Sequence, residues 1–339
     1  MDRDREKAMK KNIKILTLCV LLLALCYSAS AQQPKKVPRV GYLGGISPSS
    51  NPTRIEAFRQ GLRELGYIEG KNIVIEWRHH EGNIDRLPTL AAELARLKVD
   101  IIITVGPPAA RAAKEATVTI PIVMVQAGDP VGSGFVASLA RPGGNITGLS
   151  SLDPELSGKR LELLKEIVPR LSRVAVFGTS TSPDNAQSLR EVELAAGAMK
   201  LKLQYLDVLD PRDPKDIETA FRAASKERAG AVLMMVAGAV GTAHQTRMLE
   251  LAIKNRLPVI YRGRPSVEAG GLMSYGVNTT DLDRRAATYV DKILKGANPA
   301  DLPVEQPTKF EFVINLKAAK QIGLPIPPNV LARADKMIK

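Results

Sequence analysis

The sequence predicts an α/β protein of two lobes, each a parallel sheet flanked by helices. Strand-like apolar runs alternate with helix-like patterns along nearly the whole chain, the signature of βαβ units. The run over residues 99–105 is almost wholly apolar, which suits a strand covered on both faces. The alternation restarts near residue 150, and 339 residues are more than one core usually takes.

In the first array, residues 37–43 read as a buried strand and 44–51 as a loop. Residues 53–65 follow as a helix, with Ile55, Phe58, Leu62 and Leu65 at helical spacing and Gly66 as a stop. Strands are expected over 72–77, 99–105 and 120–125, with helices over 84–97 and 107–116 between them. The second array opens with an amphipathic helix over 153–168. It continues with strands over 173–177, 202–208, 231–235 and 258–261, separated by helices over 186–199, 214–226 and 244–255. The tail fits neither array. A strand over 271–276, a helix over 281–294, a strand over 311–315 and a last short helix suit a chain that passes between the lobes more than once.

The N-terminus reads as a secretory signal peptide: a charged opening, an apolar core over 15–25, and the cleavage pattern Ala29-Ser30-Ala31 before Gln32. Cleavage is expected after Ala31, giving an exported, periplasmic protein. The apolar run is shorter than the roughly 20 residues a bilayer span needs, so no stable membrane span is expected after processing. Met9-Lys10-Lys11 makes a more ordinary signal start than the acidic residues after Met1. Cys19 and Cys26, the only cysteines, both fall in this segment. The mature chain therefore has no thiol for catalysis, a disulfide or a zinc cluster.

The formal charge is +13, and the first 31 residues carry six basic and three acidic side chains, leaving about +10. Lys and Arg are spread along successive helices, often beside Glu or Asp, as in Lys159-Arg160-Leu161-Glu162. There is no basic tract interleaved with aromatics and no helix-turn-helix before the first strand, so a nucleic-acid partner is not expected. Gly41-Tyr42-Leu43-Gly44-Gly45 lacks the G-x-G-x-x-G spacing of a dinucleotide loop, and no cofactor is expected. His79-His80-Glu81 reads as a solvated loop, since adjacent strand residues point to opposite faces; no metal is expected. No G-x-S-x-G elbow occurs and His244 has no paired nucleophile, so the chain is not expected to be an enzyme.

The stretch from Gln126-Ala127-Gly128-Asp129-Pro130-Val131 through Ser138-Leu139-Ala140-Arg141-Pro142-Gly143-Gly144-Asn145-Ile146-Thr147-Gly148 resembles the signature of one receptor family. Arg39-Val40-Gly41-Tyr42-Leu43, the phrase Phe58 to Tyr67, and Glu268-Ala269-Gly270-Gly271-Leu272-Met273-Ser274-Tyr275-Gly276 are similar to it as well. The family is the ABC transporter substrate-binding proteins related to the tryptophan/tyrosine-type receptors. The resemblance implies a type I periplasmic-binding-protein fold, ligand held between two lobes joined by three hinge crossings, and an ABC permease of the inner membrane as partner. The crossings are expected near 147–151, 274–276 and 303–305. The lobes are then 37–149 plus 273–303 and 150–272 plus 304–339. A receptor presenting its ligand to a sensor protein has the same shape and stays open as an alternative; an exported α/β hydrolase would need a catalytic constellation that is not found.

Candidate ligand contacts follow from physics beside the resemblance. In open parallel sheets ligands sit beyond the carboxyl ends of strands, near helix N-termini whose free N–H groups suit a carboxylate. Four loops meet that description, contributing Gly44, Gly45 and Ser47; Gly106, Pro107 and Ala109; Gln126, Gly128 and Asp129; and Thr179, Ser180, Ser182 and Asn185. Ala237 and Gly238 follow a further strand of the second lobe. Tyr42 and Tyr275 are candidates for stacking on a flat ligand. Ser182 equally suits a helix cap, Tyr42 simple core, and Asp129 a turn before Pro130. The expected ligand is a small carboxylate-bearing, amino-acid-like molecule, aromatic among the options.

Overall fold

The computed structural model describes residues 36–45, 52–181, 185–209, 213–236 and 243–339. The expected signal segment 1–31 and the candidate contacts Ser47, Ser182, Ala237 and Gly238 lie outside the described residues.

The first array folds as β1 (Arg39–Gly44), α1 (Pro52–Glu64), β2 (Val74–His79), α2 (Leu87–Arg96), β3 (Ile101–Val105), α3 (Pro107–Ala116), β4 (Ile122–Ala127) and β5 (Ile146–Ser150). Its five strands form a parallel sheet in the order β2-β1-β3-β4-β5. The second array is α4 (Asp153–Ile167), β6 (Arg173–Gly178), α5 (Asn185–Ala198), β7 (Lys202–Asp207), α6 (Pro214–Lys226), β8 (Ala231–Met234), α7 (Ala243–Lys254), β9 (Val259–Tyr261) and α8 (Arg264–Glu268). The tail adds β10 (Met273–Val277), α9 (Thr279–Leu294), β11 (Phe310–Asn315), α10 (Leu316–Ile322), α11 (Pro328–Leu331) and β12 (Lys336–Ile338). The second sheet runs β12-β11-β10-β9-β8-β6-β7.

Period-two alternation of apolar residues builds each sheet's two faces. Ile101 and Ile103 of β3 join Val40 and Val123 beneath α1 and α9, while Ile102 joins Leu43 and Met124 beneath α2 and α3. In the second sheet Val174, Val176 and Leu233 pack under α4 and α5, and Ala175, Phe177 and Val232 under α6 and α7. Each fully buried Leu, Ile or Phe of this kind stabilises by about 1.5–3 kcal/mol.

The tail gives the fold its crossings. The chain leaves the first sheet after β5, enters the second lobe with α4, and stays there through β10. It then returns: α9 packs on α1 although more than 200 residues separate them. Gly61 permits that approach, since a Cβ there would sit 2.3 Å from the Arg284 carbonyl oxygen. Arg54 of α1 locks the pair, donating Nε and Nη2 to the two Asp283 oxygens at 2.5 and 2.8 Å. Val304 lies in the first lobe's core, and Ser150 and Glu305 are joined by a 3.0 Å backbone hydrogen bond. The third crossing follows Glu305 and leads into β11.

Four expectations change. β10 belongs to the second sheet, so residues 273–277 are not part of the N-terminal lobe; its register with β9 fixes them there. Val304 and Glu305 in turn stay with the first lobe. The second sheet is not wholly parallel, because β11 re-enters from the opposite edge and pairs antiparallel with β10. Of the stretch 147–151, expected as a crossing, all but Ser151 belongs to strand β5, and the chain crosses after it.

Candidate functional site between the lobes

The loops at the carboxyl ends of the parallel strands carry several buried polar groups that have no hydrogen-bond partner. At the end of β4 the pairing with β5 skips from Val125–Leu149 to Ala127–Ser150. The omitted residue, Gln126, takes a left-handed backbone with φ of 62°. Bulges and left-handed non-glycine residues re-aim side chains, and they gather at functional sites. The Gln126 carboxamide nitrogen is buried without a hydrogen-bond partner.

Ser150, the last residue of β5, and Ser151, where the chain begins to cross, are 1% and 2% exposed, and neither hydroxyl has a partner. The same is true of the Thr104 hydroxyl, one residue before the end of β3, and of the Thr179 hydroxyl just after β6 in the second lobe. Buried polar side chains are normally hydrogen-bonded. Orphans collected at strand ends, from both lobes, are groups that a bound molecule would satisfy. Among them Ser150, Ser151 and Thr104 were not singled out as contacts by sequence reasoning; the Ser-Ser doublet closing an apolar run was the available signal.

The α3 N-terminus offers less than expected. Gly106 caps it with φ of 83°, a conformation that favours glycine. Its N–H is held by the Val125 carbonyl, and the Ala110 N–H by the Gly106 carbonyl. Pro107 and Pro108 have no N–H, which leaves Ala109 as the remaining amide of that turn. The Ala109 side chain itself is core.

Other candidates are already engaged. Tyr42 is 4% exposed and packs on Phe58 and Trp77, with centroids at 5.7 and 4.8 Å; burial pushes its phenol well up. It is core, with no open stacking face. Tyr275 stacks on Phe310 and meets Phe312 edge-on, within the second sheet. Ser180 gives both its N–H and its hydroxyl to Asp207, at 2.9 and 2.6 Å. Asn185 donates to the Tyr205 hydroxyl at 3.1 Å. Asp129 caps its own turn, accepting the Gly132 N–H at 2.8 Å, and Gly128 beside it is buried.

Gly44 and Gly45 close β1 beside two histidines: a Cβ on Gly44 would meet Tyr42 and His79, and one on Gly45 would meet His80. His79 and His80 are not a solvated loop. Both His79 ring nitrogens and His80 Nδ1 are buried without partners, and burial holds both imidazoles below the ordinary histidine range. They bring no carboxylate or thiol cluster with them; among the described residues no group of three or more His, Cys, Asp or Glu could hold a metal.

Beneath the site, Asp153 at the start of α4 accepts from Arg160 Nη2 at 2.6 Å and from Arg262. Arg160, only 2% exposed, also donates Nε to the Tyr275 carbonyl at 2.7 Å, and Arg262 donates to the Met235 carbonyl at 3.2 Å. Burial pushes the Asp153 carboxyl up, but Arg262 and Arg160 outweigh it and bring it down to about 2. The network ties the first crossing to β10 and to the loops after β8 and β9.

Two lobes, three crossings and orphaned polar groups at strand ends of both lobes are the frame of a receptor for a small molecule. The chain belongs to the family of ABC transporter substrate binding proteins, whose sequence profile matches residues 44–338. It is thus a substrate-binding protein and not an enzyme. It is 26% identical over 293 residues to a tyrosine-binding protein of Clostridioides difficile (strain R20291), covering 86% of this chain and 82% of that one. A conserved domain protein from Vibrio cholerae O1 biovar eltor superposes with a TM-score of 0.81 at 32% identity, covering 89% of this chain and 100% of that one. The ABC domain in complex with L-Trp from Streptococcus pneumonia gives the same TM-score at 25% identity, covering 89% and 99%. No helix among the described residues is long and apolar enough to cross a membrane.

Proposed function

We propose that this substrate-binding protein works in the periplasm, after cleavage near Ala31, and delivers an amino-acid-like carboxylate to an ABC permease of the inner membrane. The observation that carries the ligand class is the set of orphaned polar groups at the strand ends. The Gln126 carboxamide nitrogen is a donor only, and the Ser150, Ser151 and Thr179 hydroxyls each have a proton to give. The donor-only nitrogen of Gln126 suits an anionic head group better than a cation, and the hydroxyls at the strand ends of both lobes can donate to the same kind of group. The tyrosine-binding relative and the L-Trp complex support an aromatic amino acid as the occupant.

Ligand contacts from both lobes exist together only when the lobes close, so binding shifts the population toward the closed form. Thermal unfolding of the chain from Gln32 onward, against amino acids, purines, sugars and organic acids, tests the reading. A ligand at a hundred times its dissociation constant adds about 2.7 kcal/mol. A shift with tyrosine, tryptophan or another amino acid is the expected result. A response to sugars alone would overturn it.

A further inference from the structure

The edge of the second sheet away from the cleft is unusually basic. Strands β6, β7, β8 and β9 are mutually parallel neighbours, so the turns entering them share one edge, about 15 Å across at ordinary strand spacing. At the entry to β6 lies Arg170, at that to β7 Lys200 and Lys202, at that to β8 Lys226 and Arg228, and at that to β9 Lys254 and Arg256; all seven are exposed, and the next parallel strand, β10, is entered past the acidic Glu268. None of the seven makes an ion pair among the described residues, whereas Arg173 on the same edge is matched by Glu227 at 2.8 Å. The corresponding edge of the first lobe is less one-sided, with Glu69 and Asp100 alongside Lys71, Arg96 and Lys98.

A cation in the last turn of a helix answers the helix dipole, which accounts for Lys226 and Lys254. It does not explain Lys200, Arg228 and Arg256, which lie beyond the helix ends and hold left-handed backbones, φ 54°, 57° and 51°, where glycine is the usual and unstrained choice; in the first lobe Lys98, at φ 50°, does the same. Seven exposed cations on one edge make a positive patch that an anionic surface complements. These turns hold no aromatic side chain for stacking on bases, and the strand ends form an edge, not a groove. An extended sheet of fixed phosphates fits that shape and charge.

We propose that this edge docks on an anionic phospholipid bilayer, keeping the exported receptor at the membrane with its ligand cleft on the opposite side of the lobe. The proposal is independent of which ligand the cleft holds.

Sedimentation of the chain from Gln32 onward with vesicles tests it, using phosphatidylcholine alone and phosphatidylcholine with an equal part of phosphatidylglycerol. Binding is expected to the phosphatidylglycerol vesicles and to weaken steeply with salt. Each Lys or Arg at such a surface is worth about fivefold in affinity. The variant Lys200→Gly, Arg228→Gly, Arg256→Gly is therefore expected to bind roughly a hundredfold more weakly, without a lower melting temperature. A second variant, Lys202→Gln, Lys226→Gln, Lys254→Gln, leaves the left-handed positions alone and should lose a similar factor. Neutralising Lys71, Arg96 and Lys98 of the first lobe should change affinity less than about threefold. No binding to phosphatidylglycerol vesicles, equal loss in all three variants, or tighter binding to single-stranded DNA than to the vesicles would each overturn the proposal.

Discussion

Gln126 and Ser150 lie on neighbouring strands yet do not pair: the β4–β5 register passes over Gln126 and sets Ser150 opposite Ala127. The chain thereby places a buried amide nitrogen and a buried hydroxyl, both without partners, at the point where it leaves the first lobe.

Replacing Gln126 by glycine separates its backbone role from its side-chain role. Glycine relieves the left-handed strain but adds freedom to the unfolded chain, so stability should stay within about 1 kcal/mol of the parent. Ligand affinity should fall about tenfold through the lost donor. Urea unfolding and calorimetric titration measure the two effects separately. Unchanged affinity would remove Gln126 from the site.

Ser150→Ala and Ser151→Ala should act in opposite directions on folding and binding. Removing a buried hydroxyl that has no partner raises the stability of the unliganded protein by about 1 kcal/mol. It should also weaken the ligand complex by a similar amount or more. Alanine variants that lose stability without ligand would show that these hydroxyls are satisfied within the protein.

Asp153 sets an acid limit on the fold. Its carboxyl, held at about 2 against an ordinary 3.8, binds its proton more weakly folded than unfolded. The stability this contributes is complete above the unfolded value and is lost as pH falls from about 4 through about 2, amounting to about 2 kcal/mol. Thermal melts across that range should show the loss. Asp153→Asn should abolish this component and cost about 3–5 kcal/mol at neutral pH, since two guanidinium groups are left without their carboxylate.

Trp77, the sole tryptophan, lies nearly parallel to His79 with ring centroids 6.0 Å apart. Burial lowers the His79 imidazole, with Glu81 pulling the other way. The ring should stay neutral until pH drops below the usual histidine range, then quench the indole once charged. Fluorescence is expected to fall with a midpoint on the acid side of 6.5, the unperturbed value. The stability lost in the same window belongs to the neutral ring, because the unfolded chain takes up the proton first. In His79→Gln the fluorescence step should vanish. A step that persists would assign it to another group.

Much of the fold was legible because its signals are local. Residues 107–116 and 214–226 show their helical pattern and proline entries in the sequence, and the structure gives those same limits. The candidate loops after β1, β3, β4 and β6 follow from the rule that sites lie beyond strand ends. What those loops do inside the protein was not legible. Tyr42 and Asn185 have the right chemistry for ligand contact, but Phe58, Trp77 and Tyr205 use them first.

By itself the sequence determined the α/β alternation, the two arrays and the family signature, because periodicity, breakers and motif residues act over a few positions. Only the tertiary structure decided that β10 completes the second sheet, that Gly61 lets α9 close on α1, and that Asp153, Arg160 and Arg262 form one network. Those outcomes depend on contacts between residues far apart in the chain, where close approach, register and burial select among partners that no local pattern distinguishes.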